Sequence, residues 1–418
     1  MTTFVNILLL ISIVSIWSIL IVNVVLVIAG YIYYLRTVNQ PPKPLPKDVP
    51  FVSVFVPAHD EGVVIVKTVE SLLNFDYPHD KYEVIVINDN STDNSSELLA
   101  ELKAKYADRN FEVINTDAKT GGKGKSNALN IALKQAKGSI ISIYDADNTP
   151  ERGALRILVG ELYANPKLGA AIGKFRTRNR NATLLTRFIN IETLSFQWMA
   201  QAGRQQLFHL TTIPGTNYVI WRKIIDEMGS WDVKSLAEDT EVSFHLYMTG
   251  YQIAYQPKAV TWEQEPQTLG VWFHQRTRWV MGNIYDVLKY AKYLFKKQGR
   301  PIRFDLIYFL SVFLLLVGSL VVSDSFFILS VAGVVHSTLQ GFSNVLWLLA
   351  IILFVISTAI TLSTEKGELT FSNVLIIILM YITYSQLWLV VAAWGMVQYI
   401  EEKVFHKKEK WYKTKRYS

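Results

Sequence analysis

The first 35 residues contain no Asp, Glu, Lys or Arg, and Arg36 is the first charged residue of the chain. A bilayer core about 30 Å thick is crossed by about 20 apolar residues in a helix, so this run is long enough to span once. A cleaved secretory signal needs a basic start, a short apolar stretch and a small-residue cleavage site. Here Met1-Thr2-Thr3-Phe4 opens the chain, the apolar stretch is longer, and Tyr31, Tyr33 and Tyr34 close it. Residues 1–35 therefore read as a retained anchor. Uncharged stretches return at 306–323, 325–364 and 370–400. Arg36, Lys43 and Lys47 follow the first span, which by the positive-inside rule puts the middle of the chain in the cytoplasm and Met1 outside. Residues 401–418 carry seven Lys/Arg against three Asp/Glu and belong on the same side. An even number of C-terminal crossings is then required. Four fit, at 306–322, 326–342, 344–362 and 373–397, and two crossings plus an interfacial hairpin also satisfy the rule. The expectation is a multi-pass protein of the plasma membrane.

The 418 residues are 50% hydrophobic and 18% charged, too apolar for a disordered chain. Much of the net charge of +7 sits after residue 400, whereas a nucleic-acid-binding body spreads basic charge over a face. No nucleic-acid partner is expected. With no cysteine, a disulfide framework, Cys-ligated zinc and a thiol nucleophile are excluded.

Between the apolar segments, residues 50–300 have the length of one α/β domain. Short apolar runs at Phe51–Val56, Tyr82–Ile87, Phe111–Ile114, Ile140–Tyr144 and Ala170–Ile172 read as strands. Val63–Leu73, Ser95–Tyr106 and Ser126–Ala136 between them read as helices. This alternation predicts a mainly parallel sheet with its ligand at the carboxyl ends of the strands. Pro41-Pro42-Lys43-Pro44-Leu45-Pro46 is a stiff linker into it, within residues 36–49.

Acidic residues recur at those strand ends: Pro57-Ala58-His59-Asp60-Glu61, Asn88-Asp89-Asn90-Ser91-Thr92-Asp93 and Asp145-Ala146-Asp147. One such acid can be a helix N-cap, as Ser91, Thr92 or Asp93 can be. Three sets at equivalent ends suit a nucleotide lying across the sheet, held through acceptor oxygens at its base and ribose. Asp145 and Asp147, at i and i+2 in a turn, can both reach one Mg2+ or Mn2+ ion bridged to phosphates, although the same spacing also serves an ordinary turn. Gly121-Gly122-Lys123-Gly124-Lys125-Ser126 imitates the end of a phosphate-binding loop. Lys119 stands where the first glycine of that motif belongs, so the ATP-binding reading fails. What remains is a turn into a helix, or Lys123 or Lys125 approaching substrate phosphates.

With Glu238-Asp239 and Gln275-Arg276-Thr277-Arg278-Trp279 downstream, the order of motifs resembles the membrane-embedded family 2 glycosyltransferases. These include the synthases of cellulose, hyaluronan, chitin and poly-N-acetylglucosamine. The resemblance covers about residues 50–300 and implies an α/β GT-A-type nucleotide-sugar-binding domain inserted between N- and C-terminal transmembrane helices. It also implies a UDP-sugar donor, a divalent cation (Mg2+ or Mn2+) and inversion at the anomeric carbon. By position, Asp60 and Asp89 match the uracil and ribose contacts. Asp145 matches the acid near the donor, Asp147 the metal ligand, and Asp239 the general base. Glu238 goes with the acceptor; alone, Glu238-Asp239 would be an acidic pair at a helix start. Gly215-Thr216-Asn217 resembles the acceptor loop and would otherwise be a tight turn.

Gln275, Arg278 and Trp279 share one helical face. There Trp279 can stack on the acceptor's terminal sugar while Arg278 pairs with the diphosphate. The same segment reads as an amphipathic interfacial helix with Trp272, Arg276 and Tyr290 among the headgroups. His274 reads as a surface residue. Residues 184–204 suit an interfacial or a buried helix. Lys174, Arg176, Arg178 and Arg180 suit a solvated face or a diphosphate contact. The expected division is an anchor at 1–35, a linker at 36–49, a cytoplasmic transferase domain at 50–270 and an interfacial helix at 271–300. Transmembrane helices at 301–400 and a basic end at 401–418 complete it. The leading functional expectation is a processive synthase that extends a β-linked polysaccharide from a UDP-sugar and passes it through the lipid bilayer, with room for an accessory membrane subunit. The alternatives are a transferase adding one sugar to a lipid-linked acceptor, and a transporter or scaffold with an inactive transferase domain.

Overall fold

The computed structural model describes residues 2–235, 237–334, 340–405 and Arg416. The chain divides into a helical unit (Met1–Arg36, Leu194–Leu207 and Arg276–Glu409) and a sheet unit (Thr37–Thr193, Phe208–Gln275 and Lys410–Ser418).

In the helical unit the uncharged N-terminal run forms one helix, Thr2–Thr37, of which Asn6–Thr37 is long and apolar enough to cross a membrane. Ile7, Leu10, Ile11, Val14 and Ile21 are each more than half exposed along it, a surface that suits hydrocarbon better than water. Leu26, Val27 and Ala29 are buried instead. The helical segment carrying Gly203 approaches so closely here that any Cβ at Gly203 would strike the Leu26 carbonyl, which is how small residues let helix backbones meet. The segment at 184–204 takes the buried alternative: Phe188, Trp198 and Arg204 are all buried. Trp198 Nε1 donates to Glu365 Oε1 at 3.1 Å, and Arg204 pairs with Asp305 at 2.9 Å.

The C-terminal spans differ from expectation in their breaks. Helix runs through Arg303–Leu310, Ser311–Leu316 and Val317–Val331, so no break separates a crossing at 306–322 from one at 326–342. Asp324 lies inside this run, because one charged side chain without Gly or Pro does not end a helix. Residues 335–339, within the expected second crossing, and most of the basic end at 401–418 lie outside the described residues. Gln340–Ser363 forms the next helix. Phe371–Ile382 and Tyr384–Phe405 follow, and together they pass as one span bent by 40°. The bend falls at Thr383, whose hydroxyl donates to the Leu379 carbonyl at 2.7 Å, a back-bond that bends helices.

In the sheet unit the apolar runs become β1 (Val52–Ala58), β2 (Tyr82–Asn88), β3 (Phe111–Asn115) and β4 (Ile140–Ile143), all parallel. β2 and β4 are buried at every position, the mark of a sheet covered on both faces. Among the covering helices, Ile65–Leu73 buries Ile65, Thr68, Val69, Leu72 and Leu73, a stripe at three- and four-residue spacing. Short β5 (Thr149–Pro150), β6 (Leu168–Thr177), β7 (Tyr218–Trp221) and β8 (Gln252–Glu263) complete the order β3-β2-β1-β4-β7-β6-β8-β5. β7 runs antiparallel to β4 and β6, while β6 and β8 are parallel. Chain direction then sends the ends of β1, β2, β4, β6 and β8, and the start of β7, to one edge.

Register also fixes a buried polar knot between β1 and β2. Ser53 and Glu83 are paired positions, and the Ser53 hydroxyl donates to Glu83 Oε1 at 2.6 Å. The Lys137 amide donates to the same carboxylate oxygen at 2.8 Å, and the Gly138 amide to Ser53 Oγ at 2.8 Å. Glu83→Ala leaves the Ser53 hydroxyl and the Lys137 amide without their acceptor and is expected to cost about 2–3 kcal/mol. Thermal or denaturant unfolding measures the loss; a change within 0.5 kcal/mol, roughly that of a neutral surface substitution, contradicts it.

Candidate active site

The strand order reverses direction about β1, with β2 and β3 on one side and β4 on the other, and an open α/β sheet binds its ligand at such a point. Asp60 follows β1 with a left-handed backbone (φ 52°). Its Oδ1 accepts from the Thr92 and Asp93 amides at 2.6 and 3.2 Å, tying the loops after β1 and β2 together. Asp89 is buried, and its Oδ1 accepts from the Thr116 hydroxyl at 2.8 Å and the Gly122 amide at 3.0 Å. Asp93 takes the capping part, accepting from the Ser95 amide at 3.0 Å.

Asp145 follows β4, and its Oδ1 lies 2.7 Å from Lys125 Nζ. Lys125 also donates to the Gly215 carbonyl at 2.7 Å and meets Glu238 Oε1 at 3.3 Å. Of the two lysines in the glycine-rich turn, then, Lys125 enters the acidic cluster. Lys123 is exposed and turns back onto the Lys119 carbonyl. Glu238 and Asp239 open the helix Glu238–Met248, whose N-terminus favours negative charge. The Ser243 hydroxyl donates to the Asp239 carbonyl at 2.7 Å and accepts from the Ile213 amide at 2.9 Å, which fixes that helix start against the loop before β7. In this loop Gly215 has φ +80°, and a Cβ there would stand 3.0 Å from Asp239 Oδ2. Thr216 accepts from the Asp145 amide at 3.1 Å, and Asn217 donates to the Lys174 and Ala259 carbonyls. Gly215-Thr216-Asn217 is a turn that carries part of the site's frame.

Burial, and then the neighbouring Glu238 carboxylate, push Asp239 up to about 7, with Lys125 pulling the other way. Burial works against the Lys125 charge, but Asp145 and Glu238 outweigh it and hold the ammonium above its usual range.

Asp147 is buried and faces a different cation. Its Oδ1 accepts from the Asn148 side chain at 3.2 Å, and its Oδ2 accepts from the Gln264 amide at 3.1 Å and meets Arg416 Nη1 at 2.8 Å. Pairing of Thr149 with Trp262 brings the end of β8 here, and with it Glu263 and Glu265. Burial, followed by Glu265, Asp147 and Asp145, drives Glu263 well above the carboxylate range, against the pull of Arg416. Among the described residues no group of three or more His, Asp or Glu is placed to hold a metal by itself. Mg2+ and Mn2+ do not need one, since one or two carboxylates plus waters and substrate phosphates complete their octahedron. The donors at Asp145 and Asp147 are hard oxygens, and a guanidinium already stands as the cation at Asp147. The residues fit such an ion.

Gln275, Arg278 and Trp279 lie on the helix Leu269–Ala291, Gln275 with the sheet unit and the other two with the helical unit. Trp279 is 39% exposed, and the Arg276 guanidinium sits 3.9 Å from its ring centre. The headgroup placement of Trp272, Arg276 and Tyr290 is corrected: all three are buried, as Trp272 and Arg276 fall on one four-residue stripe with buried Val280. His274 is exposed. Lys174 is buried and Arg176 lies 5.0 Å from the Trp262 ring, so the stretch at 174–180 is not simply a solvated face.

Sequence reasoning quoted Glu61 within its strand-end motif without giving it a role, and passed over Glu263, Glu265 and Arg416. The rule that found Asp60, Asp89 and Asp145 would also find Glu263, which ends β8, but Pro257 argues against a strand there. It is accommodated where pairing with β6 skips, Ile172 meeting Tyr255 and Lys174 meeting Val260. Arg416 carries no local signal.

A profile described as Glycosyltransferase like family 2 matches residues 49–282. The chain is 44% identical to the probable glycosyltransferase YdaM of Bacillus subtilis (strain 168) over 415 residues, covering 99% of this chain and 98% of the other. It is 30% identical over 267 residues to the poly-beta-1,6-N-acetyl-D-glucosamine synthase of Staphylococcus epidermidis, covering 62% of each. Among solved structures, a mannosyltransferase from Pyrobaculum calidifontis in complex with GDP-Man and Mn2+ is similar with a TM-score of 0.65 at 21% identity, covering 96% of this chain and 100% of that one. The shared fold is the GT-A type.

Lys125→Met removes the counter-charge of Asp145, Glu238 and Asp239. An acid whose pKa is raised by folding loses stability as pH climbs from its unfolded value, about 4, to its folded one. For Asp239 that loss is complete near 7 in the native sequence. Without Lys125 the folded value rises, so the melting-temperature deficit of the variant is expected to widen between pH 6 and pH 8.5. A deficit that is constant across this range, or that narrows, contradicts the arrangement.

Proposed function

The chain belongs to the glycosyltransferase-like family 2, and from that premise we propose a processive inverting synthase that extends a β-linked polysaccharide from a cytoplasmic UDP-sugar. The observation that carries the proposal is the meeting of Asp145, Glu238 and Asp239 about Lys125 at the carboxyl edge of the sheet, with Asp147 two residues from Asp145. Kinship with poly-beta-1,6-N-acetyl-D-glucosamine synthases supports UDP-N-acetylglucosamine as the donor, ahead of UDP-glucose. In this reading Asp60 and Asp89 bind base and ribose. Lys125, with Lys123, offsets diphosphate charge, and the motif assigns Arg278 the same kind of partner. Residues 50–270 form the cytoplasmic transferase, 271–300 meet the bilayer surface through exposed side chains other than Trp272, Arg276 and Tyr290, and 1–35 and 301–400 form the multi-pass membrane part through which the polymer leaves.

The chemistry follows from where the carboxylates stand. The acceptor hydroxyl oxygen bonds to the anomeric carbon as the bond from that carbon to the diphosphate breaks, and in-line attack inverts the centre. Asp239 takes the hydroxyl proton, for which a pKa near operating pH is best suited. Glu238 and Gly215-Thr216-Asn217 frame the acceptor side. Asp147, with Asp145 beside it, would hold Mg2+ or Mn2+, which supplies charge stabilisation to the departing diphosphate.

Purified protein incubated with radiolabelled UDP-N-acetylglucosamine is expected to give a ladder or long polymer; a single addition would return the reading to a non-processive transferase. Asp239→Asn should lower UDP release by about 10²–10⁴-fold, the range of general-base removal, and the parent's kcat/KM should fall as pH drops through about 7. Unchanged release in Asp239→Asn would point to an inactive transferase domain. Trp279→Ala is expected to abolish elongation with the fold intact, since the indole is 39% exposed and held by Arg276 rather than by core packing. Normal product length from that variant would sink the acceptor role of Trp279.

A further inference from the structure

Arg416 is distant in sequence from every other residue of the site, yet its guanidinium is lodged among the carboxylates at the sheet's edge. Nη1 lies 2.8 Å from Asp147 Oδ2 and donates to the Gln264 carbonyl at 3.0 Å, and Nε lies 3.6 Å from Glu61 Oε2. The three side chains are only 16%, 4% and 10% exposed for Arg416, Asp147 and Glu61. Such an ion pair is made in a poorly hydrated place, where charge-assisted hydrogen bonds are strong and an unpaired carboxylate is costly.

Asp147 Oδ2 has two functions to reconcile. In the reading of the preceding subsection, on which this inference rests, that carboxylate receives a divalent cation. Mg2+ or Mn2+ binds a carboxylate oxygen at about 2.1 Å. The oxygen already accepts from the Gln264 amide at 3.1 Å and carries the guanidinium at 2.8 Å. A metal ion as a third partner on the same atom would stand at contact distance from Arg416, and two like charges so placed repel strongly in a low-dielectric site. Guanidinium and metal are therefore alternatives at this atom.

We propose that Arg416 is a built-in counter-cation of the metal site: it neutralises Asp147 and Glu61 in the metal-free protein and must be displaced before a divalent cation can bind. Arg416 then sets the metal concentration at which the site fills, and it keeps the buried acids from repelling one another before it does. Neither effect requires Arg416 to touch the sugar nucleotide.

The test is Mn2+ binding to the full chain without any donor, followed by loss of the free-ion EPR signal, for the parent, Arg416→Ala, Arg416→Lys and Asp147→Asn. Removing one charge-assisted competitor should tighten Mn2+ binding in Arg416→Ala on the order of tenfold. Arg416→Lys, which keeps the charge and loses the fork, should fall between, and Asp147→Asn should lose the site. In a chelator the Arg416→Ala chain should melt below the parent, and saturating Mn2+ should close that gap. Equal or weaker Mn2+ affinity in Arg416→Ala, with the site still lost in Asp147→Asn, overturns the inference and leaves the metal reading standing. Mn2+ bound by none of the chains, or bound as well by Asp147→Asn as by the parent, overturns both. If Arg416→Ala melts too low to titrate, Arg416→Lys decides the matter, and an affinity no tighter than the parent's refutes competition.

Discussion

Mutual repulsion among carboxylates is the constraint around which the sheet unit is organised. Parallel strands deliver their carboxyl ends to one edge, and in this chain most of those ends are acidic. Two buried or half-buried cations offset the crowd. Lys125 collects Asp145 and Glu238 and lies near Asp239. Arg416 collects Asp147 and Glu61. The turn Asp145-Ala146-Asp147 sits between the two groups, so adjacent motif acids answer to different cations. That separation gives each of the two motif carboxylates its own counter-charge.

How legible this was depended on how local each signal is. Asp60, Asp89 and Asp145 were readable because a short apolar run followed by an acid needs only a few residues of sequence, and chain direction in a parallel sheet does the rest. The ends of those strands moved by one or two residues, β1 continuing to Ala58 rather than stopping at Val56, while the strand expected at Ala170–Ile172 runs on to Thr177. Glu263 was hidden by Pro257, a residue that ordinarily breaks a strand. The choice between Lys123 and Lys125 could not be made from a glycine-rich turn, since both lie within it and only the backbone path at Gly124 (φ +95°) and into the helix Lys125–Leu133 decides which ammonium faces inward. Arg416 was out of reach, because nothing in its neighbours' identity specifies a partner 269 positions away at Asp147.

The helical unit shows the opposite balance, where composition was informative and detail was not. A run without charge predicts a helix with apolar surface, and the helix Thr2–Thr37 has it. Composition says little about which face is turned inward. The buried pair of Arg204 and Asp305, and the bond from Trp198 to Glu365, place polar groups where a hydropathy pattern sees only interruptions. The Arg276 guanidinium on the Trp279 ring belongs to the same class. A motif read as Gln-x-x-Arg-Trp directs attention to Arg278, whereas the arginine that fixes the indole is two residues earlier. A cation stacked on an exposed ring restricts its rotamers, a constraint that a five-residue motif naming the other arginine does not convey.

Asp239 gathers these effects at one atom. Burial favours the protonated form of its carboxyl, and Glu238 beside it pushes the same way. A fully ion-paired Asp239 would instead ionise well below neutral pH. Lys125 spends its closest contacts on Asp145 and the Gly215 carbonyl, and so tempers Asp239 from one remove. The outcome is a carboxyl pushed up to about 7, packed against Gly215, where a Cβ would stand 3.0 Å from the Asp239 carboxylate and 3.4 Å from the Lys125 ammonium. Backbone room at Gly215 is thus part of what lets Asp239 and Lys125 stand where they do.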